Sequence, residues 1–264
     1  MRKAMWWWIG GGVALVCVAV LLVSWWFSRS ETGETPPAAA IAPPVSAPSI
    51  QNPVPNQGAK PPEALPSLDA SDAPLHASLS SLGGTQGLEP LLRPEMLVRH
   101  IVVTVDNLPR KRVAVELRPV RPVPGHFGAT GDEQASTLDP ANYARYAPYV
   151  KLAQQIDLQQ FAALYFHYYP LFQQAYQNLG YPNGYFNDRL VAAIDDLLAA
   201  PDLPGPVELV RPNVMYLYGD PKLEDLSAGQ KVLLRMGPDN AAIVKARLRE
   251  LRALVTVHAQ GTGN

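Results

Sequence analysis

From Met5 to Phe27 the chain carries no charged residue: MWWWIGGGVALVCVAVLLVSWWF. Coiled as an α-helix, a stretch of that length rises about 35 Å, enough to cross a hydrocarbon core of roughly 30 Å with some tilt. Trp6, Trp7 and Trp8 at one end and Trp25, Trp26 and Phe27 at the other occupy the places where aromatic belts meet the headgroups. A cleavable export signal has a shorter apolar region that ends in small residues. Here bulky rings fill that place, and Ser28 and Ser30 make a poor cleavage site, so residues 5–27 are predicted to be an uncleaved transmembrane helix. Arg2, Lys3 and the amine precede the span, whereas Arg29 is soon countered by Glu31 and Glu34. The excess of positive charge on the short side predicts a cytoplasmic tail over residues 1–4 and places everything after the span across the membrane.

Residues 28–64 change character, with Pro recurring every few positions among Ala, Ser, Gln and Asn and with few charges. Such a segment buries too little apolar surface to offset its ordering entropy, and it is expected to be a partly extended spacer. All five Trp and the only Cys, Cys17, precede it. A disulfide framework and a cysteine metal site are thereby excluded from the rest of the chain. The formal net charge of −1 supplies no field that would draw in nucleic acid.

The remainder, residues 65–258, is long enough to bury its own core, with residues 259–264 as a flexible tail. Its periodicities are mainly helical, interrupted by a few short strands or extended segments. Leu75, Leu79 and Leu82 recur at helical spacing before Gly83, and Leu97, Ile101, Val105 and Leu108 mark one face of a second helix that Pro109 ends. The β-branched run Ile101–Val105 would also suit a strand. Residues 111–134 are punctuated by Pro and Gly and read as short strands or an extended loop. Asp139-Pro140 opens a helix pair through NYARYAPYVKLAQQI. Asp157 caps a long helix closed by Gly180, and Pro170 within it predicts either a kink or two helices. Further helices are expected over 186–199, 228–236 and 240–257, the last with a stripe of Val244, Leu248, Leu251 and Val255.

The runs RHIVVTVDNLPR, NYARYAPYV, YPLFQQAYQNLGYPNGYFNDRL and SAGQKVLLRMGPDNAAIVKARLRELR resemble a proteobacterial family of membrane-anchored proteins, known only as a domain of unknown function, number three thousand and fourteen. The resemblance covers most of residues 65–254. It implies a bacterial inner-membrane location with the C-terminal domain in the periplasm, and it carries no activity, cofactor or catalytic residue.

Nine of the eleven Tyr and four of the six Phe fall between Tyr143 and Phe186. They line either a stacking groove or an aromatic core, and their helical spacing favours the core. In LGYPNGYFNDRL, Gly180 ends one helix, Pro182-Asn183-Gly184 turns, and Asn187-Asp188 begin the next, with Arg189 placed to pair with Asp157 or Asp188. The five His show no metal-ligand spacing, Ser227 lies in no nucleophile elbow, and the glycines build no phosphate loop. No catalytic set, metal site or cofactor site is therefore assigned. If a polar cleft exists, Arg145, Tyr146, Asn187, Asp188 and Arg189 are its candidate binding residues. The basic residues Arg110 to Arg112 and Lys245, Arg247, Arg249 and Arg252 read as solvated faces. The expected function is a binding or scaffolding module for envelope proteins or cell-wall polymer, attached to the membrane by its first helix. The alternative is an envelope hydrolase or transferase using two carboxylates among Asp157, Asp188, Asp195 and Glu224. Self-association through the last helix is a third option.

Overall fold

A computed structural model describes residues 49–55, 65–82, 91–132 and 135–256. The expected membrane span and the tails at both ends lie outside them. Among the described residues, no helix is long and apolar enough to cross a membrane. The architecture is mainly helical with a few strands, in the order α1 (Asp72–Leu82), α2 (Leu97–Asn107), β1 (Ala129–Thr130), β2 (Ser136–Leu138), α3 (Ala141–Gln155), α4 (Leu158–Asn178), α5 (Phe186–Leu198), β3 (Glu208–Val210), β4 (Leu217–Tyr218), α6 (Pro221–Glu224), α7 (Ala228–Met236) and α8 (Pro238–Thr256). Single 3₁₀ turns lie at Leu68–Ala70 and Val115–Leu117 among the described residues.

The β-branched run Ile101–Val105 lies in α2, where Leu97, Val98, Ile101, Val102 and Val105 are all buried. Packing on that apolar face outweighs the modest helix propensity of Val and Ile. The start of α2 has no capping side chain of its own, and Met96 sits there at φ 51°. Its carboxylate cap comes from α1, where Asp72 accepts from the backbone N–H of Met96 at 2.7 Å and of Leu97 at 2.8 Å.

The helix pair expected after Asp139-Pro140 is corrected, and of the two alternatives at Pro170, a kink or two helices, the second is excluded. The segment after Asp139-Pro140 is one helix, α3, with Pro148 inside it, and α4 runs unbroken through Pro170. An internal proline removes one backbone hydrogen bond and crowds the preceding turn, a cost of about 3 kcal/mol. In α4 the buried Tyr165, Tyr168, Tyr169, Leu171, Phe172, Ala175 and Tyr176 offset it. Asp157 caps α4 as expected, accepting from Gln159 and Gln160 N–H.

The aromatic residues form a core. The Phe172 ring stacks on Phe186 with centroids 5.8 Å apart, and Tyr165 meets Tyr169 edge-on at 5.7 Å. The stripe Val244, Leu248, Leu251 and Val255 of α8 is buried in the same core, so those four side chains are spent on the fold. A smaller core of Leu138, Val207, Leu209, Tyr218 and Leu234 lies under the antiparallel meander β1-β2-β3-β4, in which Ser136 pairs with Leu209 and Leu209 with Tyr218. α7 serves both cores, with Leu234 on the small one and Val232, Leu233 and Met236 on the large one.

Burial pushes the phenols of Tyr165 and Tyr218 above their ordinary range. The unfolded phenol titrates near 10 and the folded one higher, so this contribution to stability is whole below pH ~10 and is lost as pH rises beyond it. Unfolding free energies from urea titration are therefore expected to hold steady from pH 8 to 9.5 and then to fall by up to about 1.4 kcal/mol per pH unit for each buried phenol. A flat profile to pH 11.5 would contradict this.

Candidate functional site

The corner between α4 and α5 is built tightly. Gly180 leaves α4 at φ +114°, and a Cβ on Gly184 would lie 2.7 Å from the Tyr176 ring. Gln173 locks the turn from α4: its Nε2 donates to Gly184 O at 2.7 Å, and its Oε1 accepts from Phe186 N–H at 2.8 Å. Two hydrogen-bonded systems grow from this corner.

The inner one centres on Asp106 of α2, which is buried. Its carboxylate accepts from Arg189 Nε at 2.9 Å, Arg110 Nη2 at 2.8 Å and Tyr181 Oη at 3.3 Å, and Arg189 Nη2 also reaches the Asp106 carbonyl. Arg189 therefore pairs with neither Asp157 nor Asp188, as its spacing suggested, but with a residue of a different helix.

The outer system holds part of the proline-rich segment. The Asp188 carboxylate accepts from the backbone N–H of Gln51 at 3.1 Å and of Asn52 at 2.6 Å, and from the Asn52 side-chain amide at 3.0 Å. Asn187 Nδ2 donates to Asn52 O at 2.8 Å, and Val54 N–H donates to Tyr185 Oη at 2.8 Å. Asn52 and Val54 are half-buried, while Ile50, Gln51, Pro53 and Pro55 are exposed. The segment is a strap that bends at Gln51 and Asn52, with Asn52 and Val54 turned to the domain and Val54 packed on the main core. Pro53, which has no N–H, points outward. The spacer expected over residues 28–64 is thus laid down on the domain over its described part, residues 49–55, because specific acceptors repay the ordering that composition alone could not.

Asn187 is the hub of this arrangement. It is fully buried, its Oδ1 accepts from Tyr165 Oη at 2.9 Å, and its Nδ2 donates both to Asn52 O and, at 2.9 Å, to Val255 O near the end of α8. One amide thereby ties the strap to α4 and α8. Removing it orphans buried donors and acceptors, each worth about 1–3 kcal/mol. Asn187→Ala is expected to destabilise the domain by about 2–4 kcal/mol and to release the strap. Hydrogen exchange at the Gln51, Asn52 and Val54 amides is the check: slow in the wild type and fast in the variant.

Arg145 and Tyr146 do not join this site. Arg145, on α3, donates to the carbonyls of Pro124 at 3.0 Å, Gly125 at 2.9 Å and His126 at 2.9 Å, pinning that loop. Tyr146 is buried, and burial raises its phenol. The four carboxylates of the hydrolase alternative share no partner: Asp157 caps α4, Asp188 holds the strap, Asp195 pairs with Arg252, and Glu224 pairs with Lys231 and accepts from Tyr218 N–H. Lys245 is not solvated but buried, donating to Ala200 O at 2.6 Å beyond the end of α5 and to Asp202. Ser227 forms a capping box with Gln230 at the start of α7, which the S-x-x-Q spacing announces, and also donates to Asp196 Oδ2 at 2.6 Å. Burial raises the Asp196 carboxyl, opposed by that hydrogen bond and by Arg189. Among the described residues, no group of three or more His, Cys, Asp or Glu is placed to hold a metal ion.

An apolar cavity of about 40 Å³ lies beside this corner, between Leu75, Leu79, Val105, Tyr165, Leu190 and Val255. Without polar partners in its lining it has no means of holding water.

A family model described as Protein of unknown function (DUF3014) matches residues 97–252. The chain belongs to that family. The matched span opens on the first residue of α2 and ends within α8, so it includes Asp106, Asn187, Asp188 and Arg189. The strap and α1, which pack against it, lie outside. No curated protein and no solved structure matches the chain.

Proposed function

We propose that this protein is a membrane-tethered binding module of the bacterial inner membrane, whose helical domain works in the periplasm on exposed polypeptide segments of envelope proteins. The observation that carries this reading is the strap. Asp188 takes two successive backbone N–H groups, and Asn187 gives a donor to the carbonyl between the strap's two inward side chains. That pattern reads a bend of peptide backbone that presents two adjacent N–H groups to one carboxylate, and cell-wall glycan offers no such pair of N–H groups. The chain's own tether occupies the dock in cis, and a partner segment competes with it. The uncharged stretch over residues 5–27 supports the anchor, and the engagement of each candidate carboxylate in separate local contacts supports binding over hydrolysis.

The test is a titration of a labelled peptide with the sequence SIQNPVP into the full chain in detergent, with residues 50–54 replaced by Gly and Ser. Saturable binding is expected, at least tenfold weaker to the wild type, whose own strap competes, and lost in the strapless protein carrying Asp188→Ala. Absence of binding to the strapless protein, or equal binding to all three, overturns the reading. Separately, a phosphatase reporter fused after residue 64 is expected to be active only outside the cytosol.

A further inference from the structure

Arg118 follows the 3₁₀ turn Val115–Leu117 and is 1% exposed, yet none of its three guanidinium nitrogens meets an acceptor among the described residues. His100 of α2 is 6% exposed, and neither of its ring nitrogens has a partner among the described residues. The two belong to one corner of the fold. Thr104 Oγ1 donates to His100 O at 2.7 Å and reaches Leu117 O at 3.5 Å, joining α2 to the turn that precedes Arg118. The segment Leu91–Arg93 pairs with Pro119–Arg121 through Arg93 N–H to Pro119 O at 2.7 Å and Arg121 N–H to Leu91 O at 2.8 Å. Arg93 lies at this junction, its Nη1 donating to Glu116 O at 3.1 Å. Arg93 is felt electrostatically by both Arg118 and His100, and none of the three forms an ion pair with a carboxylate among the described residues.

Buried polar groups are almost always hydrogen-bonded, and a guanidinium cannot escape burial by losing its proton near neutral pH. Lone burial of such a charge is strongly unfavourable unless a negative group offsets it. We propose that Arg118 and His100, with Arg93 beside them, form a binding site for a small oxyanion of the phosphate or carboxylate type. The planar fork of Arg118 suits two oxygens of such an anion, and a neutral imidazole supplies one further N–H. The surrounding charges agree. Burial pushes the Arg118 guanidinium down to about 10, with Arg93 adding to the effect and Glu116 opposing it. Burial and Arg93 also lower His100, against Asp72 and Glu95. Of these carboxylates, Asp72 is spent on the start of α2.

The site is independent of the strap, and its test uses the full chain in detergent at pH 7.5 and fixed ionic strength. Thermal unfolding is followed as chloride is replaced by inorganic phosphate, sulfate or acetate. The wild type is expected to gain about 3–6 °C with saturation in at least one oxyanion, the size that ligand linkage gives for a protein of this length at roughly ten to thirty times Kd. The responding arm identifies the anion class. Arg118→Met is expected to be at least as stable as the wild type in chloride and to gain nothing from the oxyanion. The His100 ring resonances are expected to move on addition of the responding anion. A wild type indifferent to all three oxyanions overturns the proposal whether or not the variant folds. So does an Arg118→Met protein that loses the same stability in every buffer. A matching, anion-independent loss in Glu89→Gln, two positions before Leu91 in the chain, would assign the charge an internal partner and likewise overturn it.

Discussion

Asp106→Ala is expected to destabilise the protein by about 3–5 kcal/mol, the cost of breaking a buried ion pair by removing one partner. The carboxylate is buried, with 6% of its side chain exposed, and it answers three donors from two other parts of the chain: Arg189 at the start of α5, Tyr181 in the turn, and Arg110 just beyond its own helix. Its removal leaves Arg189, only 23% exposed, without its salt-bridge partner. In a protein of this length that corresponds to a fall in Tm of roughly 10 °C or more. Asp106→Asn keeps one acceptor and is expected to fall between the wild type and alanine. The double replacement Asp106→Leu with Arg189→Met removes both charges together and is expected to recover much of the loss, since a buried pair costs far more to halve than to delete. Urea unfolding of the wild type, Asp106→Leu, Arg189→Met and the double variant gives the coupling directly. A cycle in which the two single losses simply add would refute the pairing.

Gly237→Ala is expected to be comparably damaging, by about 2–5 kcal/mol, through a different mechanism. Gly237 lies between α7 and α8 at φ 84° and ψ 161°, a backbone region essentially confined to glycine. A Cβ there would also sit 2.5 Å from the Tyr143 ring. Strain and overlap act together, and neither is relieved by a rotamer of alanine. Ala199→Gly, at the end of α5 where φ is −76°, serves as the control and is expected to cost about 1 kcal/mol or less. If Gly237→Ala unfolds at the wild-type urea midpoint, the chain turns there in another conformation.

Much of the helical framework was legible in the residues. The heptad-like spacing of Val244, Leu248, Leu251 and Val255 announced a buried face, Asp157 announced a cap, and Gly180 announced an end, because each depends on neighbours within a few positions. Pro170 left a split into two helices open for the complementary reason. Its local penalty is real, but packing against distant residues decides whether a helix tolerates it. The candidate site was half legible. Asn187 and Asp188 drew notice as residues at a helix start, yet nothing local revealed that they grip Asn52. The lone acid of α2, Asp106, set among apolar residues, was the overlooked signal for the buried ion pair.

By itself, then, the amino-acid order determined an uncharged N-terminal stretch long enough to span a bilayer, a proline-rich segment after it, and a mainly helical domain with its turns in their places. These are properties of composition and short-range period. Only the tertiary structure decided which acid meets Arg189 across 83 positions, which residues hold Asn52 across 135, and where Arg118 is left without a partner. Charge and hydrogen-bond pairing depend on separations of a few ångströms between residues far apart in the chain, and the packing of the helices sets those separations.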